Sequence, residues 1–251
     1  MIDPTALSSR QIVAIFALGF GGIIELYCGS AVLLRDPQNQ ANRFTSLAYL
    51  SLALAMGFNV IYVLLTDDPF VSILHRITVL FSIVAGSFLF LSALYISEGY
   101  ESFKSYRIMI IAFNMICSIS ILVIPGVIVY TGETALPGSE QFIEWSIIFF
   151  LFAALPIYLT LSGTCYYYLK VWIEVPFDSP IKQACLLVTL GTIFLGLSHF
   201  LIIVPHILIS EMIKINTLVL IGNLGSVGAL IASLFIFLGY RTKILRKSEP
   251  D

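Results

Sequence analysis

Charge is what this chain has least of. Asp, Glu, Lys and Arg make up 11% of its 251 residues, against about 25% in soluble domains. Hydrophobic residues make up 59% and the mean hydropathy is +0.98. A water-soluble fold of this length would lack the polar groups to cover its own surface. Basic excess is also missing, since the net charge is −2, so nucleic acid is not an expected partner. The signatures of soluble catalysis are absent too: no phosphate-binding glycine loop, no GxSxG, no HExxH and no CxxC. GFGG at Gly19–Gly22 lies within an apolar run rather than after a strand. The four cysteines, Cys28, Cys117, Cys165 and Cys185, all fall in such runs, so no disulfide framework is implied.

What is present is apolar sequence in long blocks. A membrane-spanning helix needs roughly 20 apolar residues. Seven stretches qualify: Ile12–Leu34, Phe44–Leu65, Val71–Ile96, Ile108–Tyr130, Trp145–Leu169, Ala184–Ile209 and Thr217–Tyr240. The connections RDPQNQANR, TDDP and SEMIKIN carry the charge, amide and proline signals of turns. The longer TGETALPGSEQFIE and WIEVPFDSPIKQ are too short for a domain. Lipid forbids unpaired backbone groups, and the runs are too long and unalternating for barrel strands. The expected fold is therefore all-α: one polytopic domain over residues 1–251, a bundle of seven transmembrane helices bathed in the lipid bilayer.

Orientation follows from Lys and Arg. Arg35, Arg43, Lys104, Arg107, Lys170, Lys182, Arg241, Lys243, Arg246 and Lys247 follow runs one, three, five and seven, while the other side holds only Arg10, Arg76 and Lys214. Ten against three predicts an outside N-terminus and a cytoplasmic C-terminus, in a multi-pass plasma-membrane protein. Asp3, Asp67, Asp68, Glu133, Glu140, Glu144 and Glu211 then make the outer face acidic. MIDPTALSSRQ has no basic n-region or small-residue cleavage site, so the first run reads as a reverse anchor. Trp145, Trp172, Tyr130 and Tyr240 stand where interfacial aromatic belts stand.

Ionisable groups within membrane helices are costly and mark candidate sites. Glu25 lies mid-way along the first run, where it must face the bundle interior, protonated or hydrogen-bonded. His199 lies mid-way along the sixth, and the two could pair. They would form a proton-sensitive switch or ligand anchor, or else a structural hydrogen bond between helices worth about 0.6–2 kcal/mol. A second polar group lies toward the outside: Asn59, His75, Arg76, His206 and Asn223. These could line a pocket, or His75 and Arg76 could snorkel while the amides bond neighbouring backbone.

No metal site is expected. His199 and His206 share a helix face, but two turns separate them by about 10.5 Å, too far for one zinc ion. No cofactor is expected either, although a haem or copper ion between His75 and His206 fits the residue types. A retinal Schiff base needs a buried lysine, and no run has one near its middle. In the seventh run Gly225, Ala229 and Ser233 recur every four residues, with Gly222 and Ser226 alongside. Such stripes let helices approach closely, within the bundle or in a homodimer. Pro125, Pro156 and Pro205 would kink runs four, five and six.

The run LLRDPQNQANRFTSLAYLSLALAMGFNVIYVLLTDDPFVSILHRITVLFSIVAGSFLFLSALYISEG has a familiar layout. A basic, Asn-Arg-containing loop enters a helix. A short acidic-proline turn follows, then a helix ending in an acidic, aromatic loop. Over about the first 110 residues this resembles the seven-transmembrane sensor region found N-terminal to some prokaryotic histidine kinases. The resemblance implies sensing at or in the membrane and output through the seventh helix. No kinase domain follows RTKILRKSEPD in this sequence, so the expected output is a separate cytoplasmic signalling protein, and the basic tail could meet it or anionic lipid. The expected function is a stand-alone sensor or receptor-like protein, not an enzyme. A small transporter or permease, or an accessory subunit of a larger membrane complex, is the alternative. Transporters are commonly built from repeats, and none is evident here.

Overall fold

A computed structural model describes residues 9–64, 70–124, 128–134, 141–145, 147–208 and 215–241. The elements are α1 (Ser9–Arg35), α2 (Gln40–Leu64), α3 (Phe70–Val123), β1 (Ile128–Thr134), β2 (Gln141–Trp145), α4 (Ile147–Phe149), a π-helical turn (Phe150–Ala154), α5 (Leu155–Glu174), α6 (Pro180–Leu208) and α7 (Ile215–Arg241). Helix therefore dominates. Apart from the single turn α4, every helix is long and apolar enough to cross a membrane, which makes six such helices among the described residues.

That number corrects the expected seven. The third and fourth expected runs form one element, the 54-residue α3, and its only non-helical residue is Gly99 (φ 77°, ψ −173°). The Ser97–Arg107 stretch was expected to be a loop. Its Glu, Lys and Arg residues are good helix formers, so helix continues on either side of the one break. Were α3 straight, residues 76 and 121 would lie about 68 Å apart at 1.5 Å per residue. Instead the Arg76 guanidinium donates to the Ile121 carbonyl at 2.7 Å and reaches the carbonyls of Leu122 and Ile124. The limbs 70–98 and 100–123 thus fold back on each other. Each is about 36–44 Å long, enough for a hydrocarbon core of about 30 Å.

A second correction concerns the end of the fourth expected run. Ile128–Thr134 is strand β1, paired antiparallel with β2 so that Ile128 faces Trp145, Val129 faces Glu144 and Tyr130 faces Ile143. The β-branched and aromatic content of IVYT and QFIEW favours strand over helix. The fifth expected run loses its first residue, Trp145, to β2, and after α4 it passes through a π turn just before Pro156. Proline has no N–H to give to the preceding turn, and the backbone shifts so that Leu155 N–H bonds Phe150 O.

The helices close a ring. α1 packs on α2, α2 on α3, α3 on α5, α5 on α6, α6 on α7, and α7 returns to α1. Small residues set the spacing. A Cβ on Gly191 would lie 2.6 Å from Ile236 Cγ1 and 2.9 Å from the Ala232 carbonyl. On Gly239 it would lie 2.8 Å from Val188 and 3.1 Å from the Ala184 carbonyl. So α6 and α7 approach backbone to backbone, antiparallel. The core runs through Ala14, Tyr49, Leu89, Ala153, Tyr168 and Ile236, while large apolar side chains such as Phe16, Ile23, Ile116 and Leu159 face outward. In water such exposed patches would drive association; hydrocarbon solvates them.

The φ and ψ of Gly99 fall in a region open almost only to glycine, and nothing lies within 4 Å of a Cβ built there. Gly99→Ala is expected to cost about 1–3 kcal/mol from backbone strain alone, measured as reduced thermal stability in mild detergent. A neutral substitution would contradict the hinge geometry.

Candidate functional site

Glu25 is the centre of the candidate site. Around it α1 sits tightly between α2 and α7. A Cβ on Gly21 would meet Met56 Sδ at 3.1 Å and Ser233 Oγ at 3.5 Å, and one on Gly22 would meet the Ala53 carbonyl at 3.5 Å. One turn further along, Glu25 is fully buried. Both its carboxyl oxygens are sealed from solvent without a hydrogen-bond partner. The Ser233 hydroxyl and the Cys28 thiol lie beside it, but Ser233 donates to the Ala229 carbonyl at 3.1 Å. The proton of that hydroxyl is therefore committed, and what remains for the carboxyl is the oxygen's acceptor capacity.

The structure does not bring His199 to Glu25. His199 Nδ1 lies 2.9 Å from the Leu195 carbonyl, and because a carbonyl only accepts, Nδ1 carries the proton in that bond. Gly191 sits against Ala232 and Ile236, and Ser198 donates to the Gly225 carbonyl. Glu25, level with Ser233, therefore lies opposite the 191–192 turn of α6. His199 is about 10–12 Å further along the axis.

The outer polar group is likewise dispersed. Arg76 is spent on the carbonyls that end α3, where a cation satisfies orphan acceptors and the helix dipole. His75 is buried edge-on to Tyr62 at 5.0 Å and stacked near Phe149 at 6.5 Å. Asn59 is half-buried. Asn223 is half-buried, with its side-chain oxygen sealed and unpartnered. His206 stands in α6 by its backbone, and its side chain, with any haem contact to His75, lies outside the described residues. No hydrogen bond or ion pair joins Glu25, His199, Asn59, Asn223 and Arg76 to one another. Among the described residues no three His, Cys, Asp or Glu side chains gather as metal ligands would.

Two features were not anticipated from the sequence. Ser233, read there as a packing residue, is the hydroxyl beside the buried carboxyl; its i, i+4 spacing in the small-residue stripe was the available signal. Glu98, next to the Gly99 hinge, pairs with Lys170 of α5 at 2.6 Å, tying the turn of α3 to the end of α5. No family model, curated protein or solved structure matches the chain.

The Ser233 hydroxyl is the polar group beside Glu25, and its proton already goes to the Ala229 carbonyl, so removing the carboxyl forfeits at most one weak contact. Glu25→Met, close in volume, is expected to leave stability unchanged or raise it by about 1–3 kcal/mol, the usual cost of an unsatisfied buried polar group. Thermal unfolding in detergent reads this. Marked destabilisation would make Glu25 a structural tie instead.

Proposed function

We propose that the chain is a seven-crossing protein of a prokaryotic plasma membrane, with its N-terminus outside and its C-terminus in the cytoplasm. It works as a sensor or receptor-like protein that passes a signal to a separate cytoplasmic partner. The return of α3 at Gly99 supports the crossing number, because six long helices then provide seven passages. The ten-to-three distribution of Lys and Arg supports the orientation. The layout shared with sensor regions of histidine kinases supports the role.

The observation that carries the sensing reading is the sealed, unpartnered carboxyl of Glu25 in the seam of α1, α2 and α7. A buried polar group without a partner is expensive to keep. A signal that gives Glu25 a partner, or moves it toward one, therefore has free energy with which to shift α7 against α1. Such a shift needs differential interaction with two states, and an unsatisfied carboxyl supplies it. α7 runs directly into the basic segment RTKILRK, so its movement would be delivered at the cytoplasmic surface.

Affinity capture of the full chain from its membrane, comparing wild type with Glu25→Gln, tests this. A coupling of the usual 1–3 kcal/mol makes recovery of a specific cytoplasmic protein differ about fivefold or more. Equal recovery, or Glu25-dependent solute uptake by the purified chain in liposomes, would overturn the sensing role, and uptake would favour the transporter.

A further inference from the structure

A cleft lies on the outer face of the bundle between α1 and α7. It encloses about 650 Å³ and is lined on α1 by Ile23, Tyr27, Ala31 and Arg35 with the adjacent Ile24, Cys28 and Val32, and on α7 by Leu234 and Phe237. The first four recur every fourth residue, so they form one stripe down α1. From Ile23 to Arg35 that stripe runs about 18 Å, close to the hydrocarbon depth of one leaflet, half of about 30 Å. Everything above its end is apolar or aromatic, and Tyr27 and Phe237 wall it with ring centroids 6.0 Å apart.

Its end is different. Arg35 is the one charged residue in the lining. It is exposed at the last turn of α1, and among the described residues no carboxylate pairs with it. The neighbouring charges are occupied elsewhere. Asp36 Oδ1 accepts from the Gln38 backbone N–H at 3.1 Å, and Arg43 donates to the Pro37 carbonyl and to Gln38 Oε1. An apolar trough one leaflet deep, ending at a guanidinium unpaired among the described residues, fits an acyl chain whose phosphate carries no compensating cation. Guanidinium binds phosphate with paired hydrogen bonds.

We propose that this cleft is a binding site for one anionic phospholipid, its acyl chain along Ile23–Val32 and its phosphate on Arg35. The floor of the cleft includes Cys28 and Ile24, which flank Glu25 on α1. The lipid therefore lies against the same α1–α7 seam that holds the buried carboxyl. This assignment rests on the membrane-spanning reading alone and stands whatever the signalling role.

Native mass spectrometry of the full chain in mild detergent, titrated with phosphatidylglycerol or phosphatidylcholine, tests it. The expected result is one phosphatidylglycerol retained per chain, with phosphatidylcholine held far less. Arg35→Gln weakens retention about tenfold, the worth of a charge-assisted hydrogen bond. Ala31→Trp, at an exposed position where bulk fills the trough without entering the core, abolishes it, and Lys104→Gln, an exposed cation elsewhere, leaves it unchanged. Equal losses in Arg35→Gln and Lys104→Gln, equal retention of the two lipids, or undiminished retention in Ala31→Trp would overturn the site. So would a dimer that Ala31→Trp dissociates, which would make the cleft a contact between two copies.

Discussion

Hydrocarbon cannot hydrogen-bond, so each polar group carried into it must find its partner within the chain. Most of the buried hydroxyls here do so at the shortest range. Thr78, Ser87, Thr160, Thr164, Thr189, Thr192, Ser226 and Ser233 all donate to the carbonyl four residues back. Thr45 and Ser92 instead bond each other across α2 and α3 at 2.6 Å, and Arg76 satisfies the carbonyls at the end of α3. Oxygens of Asn42, Asn114, Tyr158 and Asn223 stay sealed without a partner, and Glu25 is the one carboxyl among such groups in the described residues.

Close approach is the second consequence of the same solvent. Lipid offers no hydrophobic drive for helices to associate, so they gain by van der Waals contact where small residues allow it. Gly191 and Gly239 bring α6 against α7, and Gly29 brings α1 within 3.2 Å of the Ser46 carbonyl, as measured from an added Cβ. Gly86 similarly faces Thr160 across α3 and α5. α7 is held by such contacts on one side and by the Glu25 seam on the other. A packed interface of this kind switches between discrete arrangements more readily than it deforms.

Much of this was legible in the sequence, because apolar runs of membrane length have few alternatives. The burial of Glu25 was legible for a related reason: a carboxylate in an apolar run must turn to the bundle interior, and Glu25 does so. The hinge was harder to read. Glu98, Gly99 and Lys104 look like a polar loop, yet charged residues sustain helix at a membrane surface and only the backbone of Gly99 marks the turn. The β1–β2 ribbon was hidden because Ile128–Tyr130 continues an apolar run. Whether Glu25 and His199 pair was not legible, because position along a helix says nothing of how neighbouring helices are offset. The contacts of Gly191 and Ser198 fix that offset at about two turns.

In the proposed topology α3 crosses the membrane twice, giving seven passages with the chain ends in opposite compartments. Placing the same impermeant-reagent tag at either end of the full chain in intact cells tests it. That topology requires labelling of the N-terminal tag from outside and of the C-terminal tag only after permeabilisation. Equal access to both tags would leave an even number of passages, and the hinge at Gly99 could then not divide two membrane-spanning limbs.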